Sequence, residues 1–337
     1  MILKVLKGTL LGAMLAATCA SVASAETTEL RLGHQFGLGY LQFYIMNDLG
    51  LVQKYAKAEG MPDLKVTYKE IGSPSVLNDA ILSGSLDMVS AGPPPFLNLW
   101  DRTKGNLGVR MLVALNMQPM RLNTNNPKWK TACDFTTSDR IAVPGVKTST
   151  HAILLNMLAE KCFGAEKRNF FESREIPMKH PDAVIALTSG KSEITGHFAT
   201  IPYQNIELQN SSIHTVVSSY DLTGGPSTVT GVWLSEKFYN DNPKVVRAAY
   251  QAFSEATDII RKDPKRAAQI YRKLDKSNPL SQEQVEQILT DPEVIYSLAP
   301  QKMMVWATTM HKIGLLKNEP KDWKELFFPA AYALSGN

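Results

Sequence analysis

This chain contains few cysteines and has a small net charge. Only 3 of its 337 residues are cysteine, and the formal net charge is +4 at pH 7. Positive and negative residues alternate along the chain, and no block of like charges occurs. So small a balance does not indicate a nucleic-acid or membrane-surface partner. We therefore expect a protein that binds no nucleic acid.

Long hydrophobic runs are missing as well. No segment has the roughly 18 uninterrupted apolar residues that a membrane-spanning helix requires. The short apolar run Leu10 to Ala17 follows the basic residues Lys4 and Lys7 and precedes Ala23-Ser24-Ala25. This order is typical of a cleaved signal peptide. We expect residues 1–25 to be removed and the mature chain to act outside the cytoplasm.

Motifs of common catalytic sites are also missing, including GxxxxGK[ST], GxSxG and HExxH. Gly37-x-Gly39 begins like a dinucleotide fingerprint, but Gln42 occupies the third glycine position. The six histidines do not have the regular spacing of metal ligands in sequence. The alternative to a protein without a metal is a site assembled from three loop histidines: His34, His151 and His197. The sequence thus predicts a protein that is not an enzyme and holds no cofactor.

Two cysteines, Cys133 and Cys162, remain after removal of the signal peptide. In an oxidising compartment they form either a disulfide or two separate thiols. Cys133 precedes a predicted strand at Ile141, and Cys162 ends the helix that runs back along this strand. Both therefore lie at the same end of one strand–helix unit, and we expect a disulfide.

Strand-like and helix-like patterns alternate through the first two thirds of the chain. This alternation predicts an α/β fold with mainly parallel sheets flanked by helices. From Asp241 onward the pattern is helical, and Ser281 with Gln284 matches a capping box. A polar crossing is expected over 121–130. The predicted strands are 29–33, 64–70, 86–90, 109–115, 141–144, 170–178, 193–197, 213–218 and 228–234.

The stretch Asp139 to Leu158 combines a strand, a turn and a helix. Ile141 to Pro144 fits a short buried strand, and the hydroxyls of residues 148–150 can cap the helix that follows. Unpaired N–H groups at the helix start, with Lys147 beside them, would hold a small anion. The alternative is an ordinary capped loop.

Glycine, hydroxyl and aromatic residues concentrate where predicted strands end. In open α/β sheets, ligands bind at the carboxyl edge of the strands, where loops and helix N-termini meet. Five such loops together suggest a cleft. The residues predicted to line it are Phe36, Gly39, Tyr40, Ser73, Gly92, Pro93, Lys147, Thr148, Ser149, His197 and Phe198.

Several short blocks carry a family resemblance. They are Leu30 to Gly33, Asp48 to Leu51, Ala80 to Met88, Ile141 to Gly145 and Ile201-Pro202. In these blocks the chain resembles the substrate-binding proteins of ABC transporters of the nitrate/sulfonate/taurine type. That family is related to the proteins that bind thiamine-pyrimidine precursors. The chain departs from many relatives at Gly196-His197, where they carry an aspartate-alanine pair.

The resemblance implies a monomeric two-lobed periplasmic binding protein with a helical C-terminal region. Lobe one would comprise 26–116 and 219–337, and lobe two 117–218, with crossings near 115–122 and 218–228. A small anionic ligand, a sulfonate or carboxylate or possibly nitrate, would bind between the lobes, and an inner-membrane ABC permease would be the partner. The alternatives are a pyrimidine or other aromatic heterocycle as ligand, or a sensor with the same fold. An enzyme like the fungal pyrimidine synthases is disfavoured because their cysteine-rich iron-binding segment is missing.

Overall fold

The structure is a computed structural model that describes residues 25–276 and 278–337. The predicted signal peptide, except Ala25, lies outside the described residues. The strands are β1 (Glu29–His34), β2 (Lys65–Glu70), β3 (Met88–Ala91), β4 (Arg110–Met117), β5 (Arg121–Thr124), β6 (Ile141–Val143), β7 (Glu175–Pro177), β8 (Gly196–Ala199), β9 (His214–Ser218), β10 (Thr228–Leu234) and β11 (Ile295–Tyr296).

The α-helices differ widely in length, and a short 3-10 turn, Leu38–Tyr40, leads directly into the first of them. The helices are α1 (Leu41–Leu49), α2 (Leu51–Ala58), α3 (Pro74–Leu82), α4 (Pro93–Thr103), α5 (Thr150–Phe163), α6 (His180–Ser189), α7 (Tyr203–Glu207), α8 (Tyr220–Thr223), α9 (Glu236–Asp241), α10 (Pro243–Lys262), α11 (Pro264–Leu274), α12 (Gln282–Leu289) and α13 (Met303–Lys312).

The strands form two separate sheets. The first has the order β11-β4-β10-β3-β1-β2, with β1 parallel to β2 and β3, and β10 antiparallel to β3 and β4. The second has the order β7-β6-β8-β5-β9, with β6 parallel to β7 and β8, and β5 antiparallel to β8 and β9. Each sheet is therefore mixed, with a parallel half supplied by strand–helix–strand units.

Apolar side chains pack into three clusters around these sheets. Helices α1, α10 and α11 cover one face of the first sheet with residues such as Phe43, Phe253 and Tyr271. A second cluster includes side chains of both sheets, among them Trp233 of β10 and Leu122 of β5. A small third cluster lies beneath α6. The second cluster joins the two halves of the molecule in one continuous apolar contact.

The chain passes between the sheets twice. Residues 118–120 connect β4 of the first sheet to β5 of the second, and residues 219–227 lead from β9 back to β10. All strands of the second sheet lie between these passages. The predicted α/β fold with two helix-flanked sheets is confirmed, but the sheets are mixed rather than mainly parallel, because β5 and β10 run antiparallel to both of their neighbours.

Several element predictions are confirmed, and others are wrong. Helix α1 ends at Gly50, which adopts the left-handed conformation, and the Ser281–Gln284 capping box is present. The predicted strand 170–178 shrinks to β7, because Phe170 and Phe171 lie in turns and pack against Phe163. The segment 121–130, read as a crossing, begins with β5.

Cys133 and Cys162 form a disulfide with their Cα atoms 5.2 Å apart. Cys162 lies in the last turn of α5, whereas Ser149 caps the opposite end of this helix. The disulfide therefore closes the strand–helix unit at the end remote from the hydroxyl-rich turn. Over the described part of the chain, no helix is both long enough and apolar enough to cross a membrane.

Candidate functional site

A cavity of about 410 Å³, a volume that includes space open to solvent, lies between the two sheets. Its lining contains hydroxyl, amide, imidazole and apolar side chains, but none of the lysine, arginine, aspartate or glutamate residues of the described chain. Both sheets contribute loops and helix N-termini to it. The lining residues are Gln35, Phe36, Tyr40, Pro74, Gly92, Pro95, Met120, Pro144, Ser149, Thr150, His151, His180, Thr200, Val229 and Thr230.

The N-terminus of α5 forms one wall of this cavity. Strand β6 ends at Val143, and Ser149 caps α5 by accepting a hydrogen bond from the N–H of Ala152 at 3.2 Å. The N–H groups of Thr150 and His151 lie in the first turn, where a helix offers them no acceptor. With the positive end of the helix dipole behind them, these groups favour a negatively charged or strongly accepting ligand atom.

His151 projects from the first turn of α5 and is only 7% exposed. Neither ring nitrogen has a hydrogen-bond partner among the described residues, although both are fully buried. Burial, with a smaller contribution from the nearby His197, lowers the pKa of His151 to about 3. A neutral imidazole carries one N–H donor and one acceptor nitrogen, and no described residue uses either of them.

His180 begins α6 on the same side of the cavity. Its ring centroid lies 4.9 Å from that of His151, and its Nδ1 lies 2.8 Å from Nε2 of His197. Nδ1 of His197 lies in turn 2.5 Å from Oε1 of Glu207, and both of these residues are fully buried. Burial, together with His151 and His197, holds the pKa of His180 well below its usual value.

Loops of the first sheet form the opposite wall. Phe36 lines the cavity beside Tyr40, whose hydroxyl donates to Oε1 of Gln35 at 3.1 Å. Gln35 is held by a bond from its Nε2 to the carbonyl oxygen of Gly72 at 3.0 Å. The amide and the phenol therefore bind each other, and the Phe36 side chain adds apolar surface to this wall.

Helix α4 begins beside α5 with Gly92 as its N-cap, followed by Pro93, Pro94 and Pro95. Proline has no backbone N–H, so the first turn of α4 lacks the donors that α5 presents. A Cβ atom added to Gly92 would lie 1.8 Å from Oγ1 of Thr150 and 3.1 Å from its Cβ. The two helix N-termini therefore touch across the cavity, and only glycine fits at the contact.

Lys147 does not line the cavity, contrary to the prediction of an anion seat around it. Its Nζ lies 2.9 Å from Oε2 of Glu172, and 60% of its side chain is exposed. Its backbone adopts the left-handed conformation, which directs its N–H to Oε2 of Glu175 at 2.8 Å. The turn that brings Ser149 into the cavity therefore points Lys147 away from it.

The other predicted site residues separate into two groups. Phe36, Tyr40, Gly92 and Ser149 line the cavity together. The remainder lie behind the wall or beside it: Gly39, Ser73, Pro93, Lys147, Thr148, His197 and Phe198.

Among this second group, Gly39 contributes its carbonyl oxygen to bonds from Asn116 and Thr230, and Phe198 is fully buried in the core. His197 lies behind His180, on the side away from the cavity.

Sequence reasoning missed the two histidines that line the cavity, His151 and His180. His151 follows the predicted caps directly, and His180 precedes the proline at the start of a predicted helix. The rule that ligands bind at helix N-termini after strands would have found both. The alternative metal site of His34, His151 and His197 is not assembled, since His34 stacks on Phe43 in the core. No group of three potential metal ligands occurs among residues 25–276 and 278–337.

Two helix-flanked sheets, joined by two passages and enclosing a cavity between them, define the class of periplasmic binding proteins. The chain belongs to the NMT1-like family, whose model matches residues 23–274. No curated protein sequence matches the chain. The family match, with the structural neighbours, confirms the resemblance to the nitrate/sulfonate/taurine type of binding protein.

Solved structures share the fold at low sequence identity. The alkanesulfonate-binding protein SsuA from Xanthomonas axonopodis pv. citri, bound to MOPS, is 17% identical with a TM-score of 0.67, covering 91% of this chain and 99% of its own. The nitrate-binding protein NrtA from Synechocystis PCC 6803 is 16% identical with a TM-score of 0.69, covering 89% and 84%. The aliphatic sulphonate binding protein SsuA from Escherichia coli is 16% identical with a TM-score of 0.65, covering 90% and 92%. All three relatives in fold are binding proteins, and the last two are periplasmic.

Proposed function

We propose that the protein is the extracytoplasmic solute-binding component of an ABC importer and captures a small anionic organic molecule. A sulfonate or carboxylate, or nitrate, would bind in the cavity between the sheets. The protein would be exported by its signal peptide, act as a monomer in the periplasm without catalytic activity, and deliver its ligand to an inner-membrane permease. Residues 26–116 and 219–337 would form one lobe and 117–218 the other.

The observation that carries this proposal is the pair of unpartnered nitrogens on His151. A buried polar group without a partner costs roughly 1 to 3 kcal/mol, and a bound ligand that accepts from it would recover this cost. The adjacent N–H groups of Thr150 and His151 and the hydroxyls of Ser149 and Thr150 converge on the same wall. An anionic head group fits this wall because the backbone N–H groups, the hydroxyls and one nitrogen of the neutral His151 ring can each donate a hydrogen bond.

Binding without a cationic side chain still favours an anion here. The helix dipole supplies partial positive charge, and the cavity excludes most water, which strengthens each hydrogen bond. The predicted seat on Lys147 is thus replaced by neutral donors of α5 and α6. A ligand that contacts both walls would favour the closed arrangement of the lobes, which the permease would recognise.

An aromatic heterocycle such as a pyrimidine is the second candidate. It is favoured by the aromatic walls, Phe36 and Tyr40 on one side and the His151 and His180 imidazoles on the other. A cationic heterocycle is disfavoured because no aspartate or glutamate lines the cavity in the described chain. A sensor with the same fold would bind its ligand in the same way and differ only in its membrane partner.

A thermal-shift screen of the mature protein tests the ligand class. The panel contains sulfonates, carboxylates, nitrate and pyrimidines, and a ligand at 100 times its dissociation constant stabilises the fold by about 2.7 kcal/mol. We expect stabilisation by at least one sulfonate or carboxylate and none by matched uncharged amides or alcohols. Stabilisation by pyrimidines alone would favour the second candidate and contradict the first.

The His151→Phe variant tests the site itself. Phenylalanine preserves the ring volume but removes both nitrogens, so we expect the ligand identified by the screen to bind at least ~10-fold more weakly. Unchanged affinity of this variant would place the ligand elsewhere. Isothermal titration calorimetry measures the affinity, and His311→Phe, a substitution on α13 outside the cavity lining, is the matched control.

A further inference from the structure

Behind the cavity wall, a buried chain of ionisable groups leads away from the ligand space. It starts at His180, continues through His197 and ends at Glu207. Oε2 of Glu207 also accepts from Nδ2 of Asn123 at 2.8 Å. His197 and Glu207 have no exposed surface, so neither can touch a ligand. Nε2 of His180 makes no hydrogen bond within the described residues and is the nitrogen left for the cavity.

The protons of this chain have two arrangements that leave no net charge on the His197–Glu207 pair and keep Oε2 of Glu207 free to accept from Asn123. In the first, His197 is protonated at both nitrogens and Glu207 is ionised. In the second, Glu207 is protonated and donates to Nδ1 of His197, whose own proton then lies on Nε2. In both arrangements Nε2 of His197 carries a proton and donates it to Nδ1 of His180.

A neutral His180 that accepts at Nδ1 must carry its own proton on Nε2. The lowered pKa of His180 supports the neutral ring. While Oε2 of Glu207 accepts from Asn123, the opposite tautomer requires ionised Glu207 beside neutral His197, which leaves a net negative charge in the interior. The only other donor to the carboxylate given by the structure is the uncharged amide of Asn123. An unpaired buried charge is costly, so this arrangement is disfavoured.

We propose that Glu207 and His197 are positioning residues that determine the ligand specificity of the cavity, because they hold Nε2 of His180 as a hydrogen-bond donor to the ligand. The site then selects a ligand atom that accepts at this position, such as an oxygen of a sulfonate, carboxylate or nitrate, and rejects an N–H. This inference rests on the proposed function and adds the source of its selectivity. It assigns a role to two residues that no ligand reaches.

Nitrogen-15 NMR of the ligand-free mature protein tests the tautomer directly. Long-range correlation spectra separate protonated from unprotonated ring nitrogens and need no ligand. We expect Nε2 of His180 to be protonated and Nδ1 to be unprotonated at pH 7. A spectrum with the proton on Nδ1 would overturn the proposal. The His180→Phe variant identifies the signals.

Two substitutions at Glu207 separate positioning from packing. In Glu207→Gln, the amide oxygen is held by Asn123, so the amide N–H group faces Nδ1 of His197 and preserves the tautomer of His180. In Glu207→Leu, Nδ1 of His197 loses its partner and the tautomer is no longer fixed. We expect Glu207→Gln to keep the native NMR pattern, and Glu207→Leu to show both tautomers of His180. Identical native patterns in both variants would contradict the positioning role.

Affinity for methanesulfonate, acetate and nitrate completes the test. We expect His180→Phe to weaken binding of the anion that the native protein prefers by about 10- to 100-fold. Glu207→Leu should weaken it less, and Glu207→Gln should rescue it. Unchanged affinity of His180→Phe would overturn the proposed contact. If the native protein binds none of these anions although Nε2 is protonated, the proposed function fails and the tautomer assignment stands.

Discussion

Lys147 and His151 are four positions apart in sequence, but the fold sends them in different directions. Lys147 lies in a left-handed turn and pairs with Glu172 at the surface, whereas His151 lies in the first turn of α5 and faces the cavity. A lysine near a helix N-terminus is a reasonable anion ligand on sequence grounds. Its direction depends on one backbone angle, which the residue pattern does not reveal.

Replacement of Lys147 is therefore expected to leave ligand binding nearly unchanged. Lys147→Ala removes an exposed ion pair of the kind that contributes about 0 to 1 kcal/mol to stability, and it removes no atom from the cavity. We expect the affinity for the ligand found by the screen to change by less than about twofold. Calorimetric titration measures it, with Lys161→Ala in the last turn of α5 as control. A tenfold loss of affinity would show that Lys147 takes part in ligand binding.

For Gly92, in contrast to Lys147, we expect a single substitution to weaken ligand binding. In Gly92→Ala the new methyl group would overlap Thr150, so the two helix N-termini must move apart. We expect the ligand to bind at least ~10-fold more weakly, because the closed arrangement becomes less favourable by more than about 1.4 kcal/mol. The control is Gly145→Ala, whose Cβ would meet its nearest neighbour at 3.3 Å.

Double substitution tests the mechanism of this effect. Thr150→Ser removes the γ-methyl group and allows the hydroxyl to rotate away from residue 92. We expect Gly92→Ala with Thr150→Ser to bind more tightly than Gly92→Ala alone, with both affinities measured by calorimetry. Additive losses would show that the residues do not meet when the ligand is bound.

At the scale of elements, the strand–helix alternation predicted the fold well. Buried strands such as β6 and amphipathic helices such as α10 have patterns set by their own burial, so they can be recognised locally. Helix α4 was not predicted, although proline suits the first turn of a helix. Strand β5 was missed because its polar residues are buried by partners distant in sequence: Asn123 bonds Glu207 and Thr215.

The candidate site was predictable only in outline for a related reason. The loops that form it follow from the strand order, and four of the eleven predicted ligand contacts line the cavity. Which side chains face inward depends on backbone angles and on neighbours from the other sheet. His197 was chosen for its position after a strand, and it lies one layer too deep because His180 covers it.

The disulfide also belongs to this scale. Cys133 and Cys162 close a loop across a separation of 29 residues at the far end of α5. We expect Cys133→Ser with Cys162→Ser to lower the free energy of unfolding by about 3 to 4 kcal/mol, because the unfolded chain gains freedom. Denaturant titration measures this loss. Ligand affinity should stay within about twofold, since neither cysteine approaches the cavity, and a larger change would link the two ends of the helix.

For the whole molecule, buried ionisable groups determine how stability depends on pH. Burial lowers the pKa of His34 to about 4 and of His151 to about 3, and that of His180 falls well below its usual value. These three bind protons more readily when unfolded, so their contribution to stability is present above about pH 6.5 and is lost on acidification. Burial raises the pKa of Glu175 to about 7 and also raises that of Glu70, which gives the opposite sign.

Because the three histidines outnumber the two glutamates of opposite effect, the free energy of unfolding decreases as the pH falls. Near pH 5 to 6 we expect the free energy of unfolding to fall by about 1.4 kcal/mol per pH unit, the value for one proton. Urea titrations at pH 7, 6 and 5 measure the slope. His34→Phe, which preserves the stack on Phe43, should reduce this slope by about 1.4 kcal/mol per pH unit, because one titrating histidine is removed. A free energy that rises as the pH falls from 7 to 5 would contradict the prediction.

The three prolines at the start of α4 have a consequence for the kinetics of capture. Because they remove the donors from one wall, the polar contacts of an incoming anion lie almost entirely on the other wall. The association rate would then depend on the α5 side alone. The α4 side would close over the bound anion afterwards and exclude water from it, and this side would determine the dissociation rate. In the proposed function, such a protein would hold its cargo by slow release, and a permease that separates the two walls would trigger discharge without competing for a single hydrogen bond.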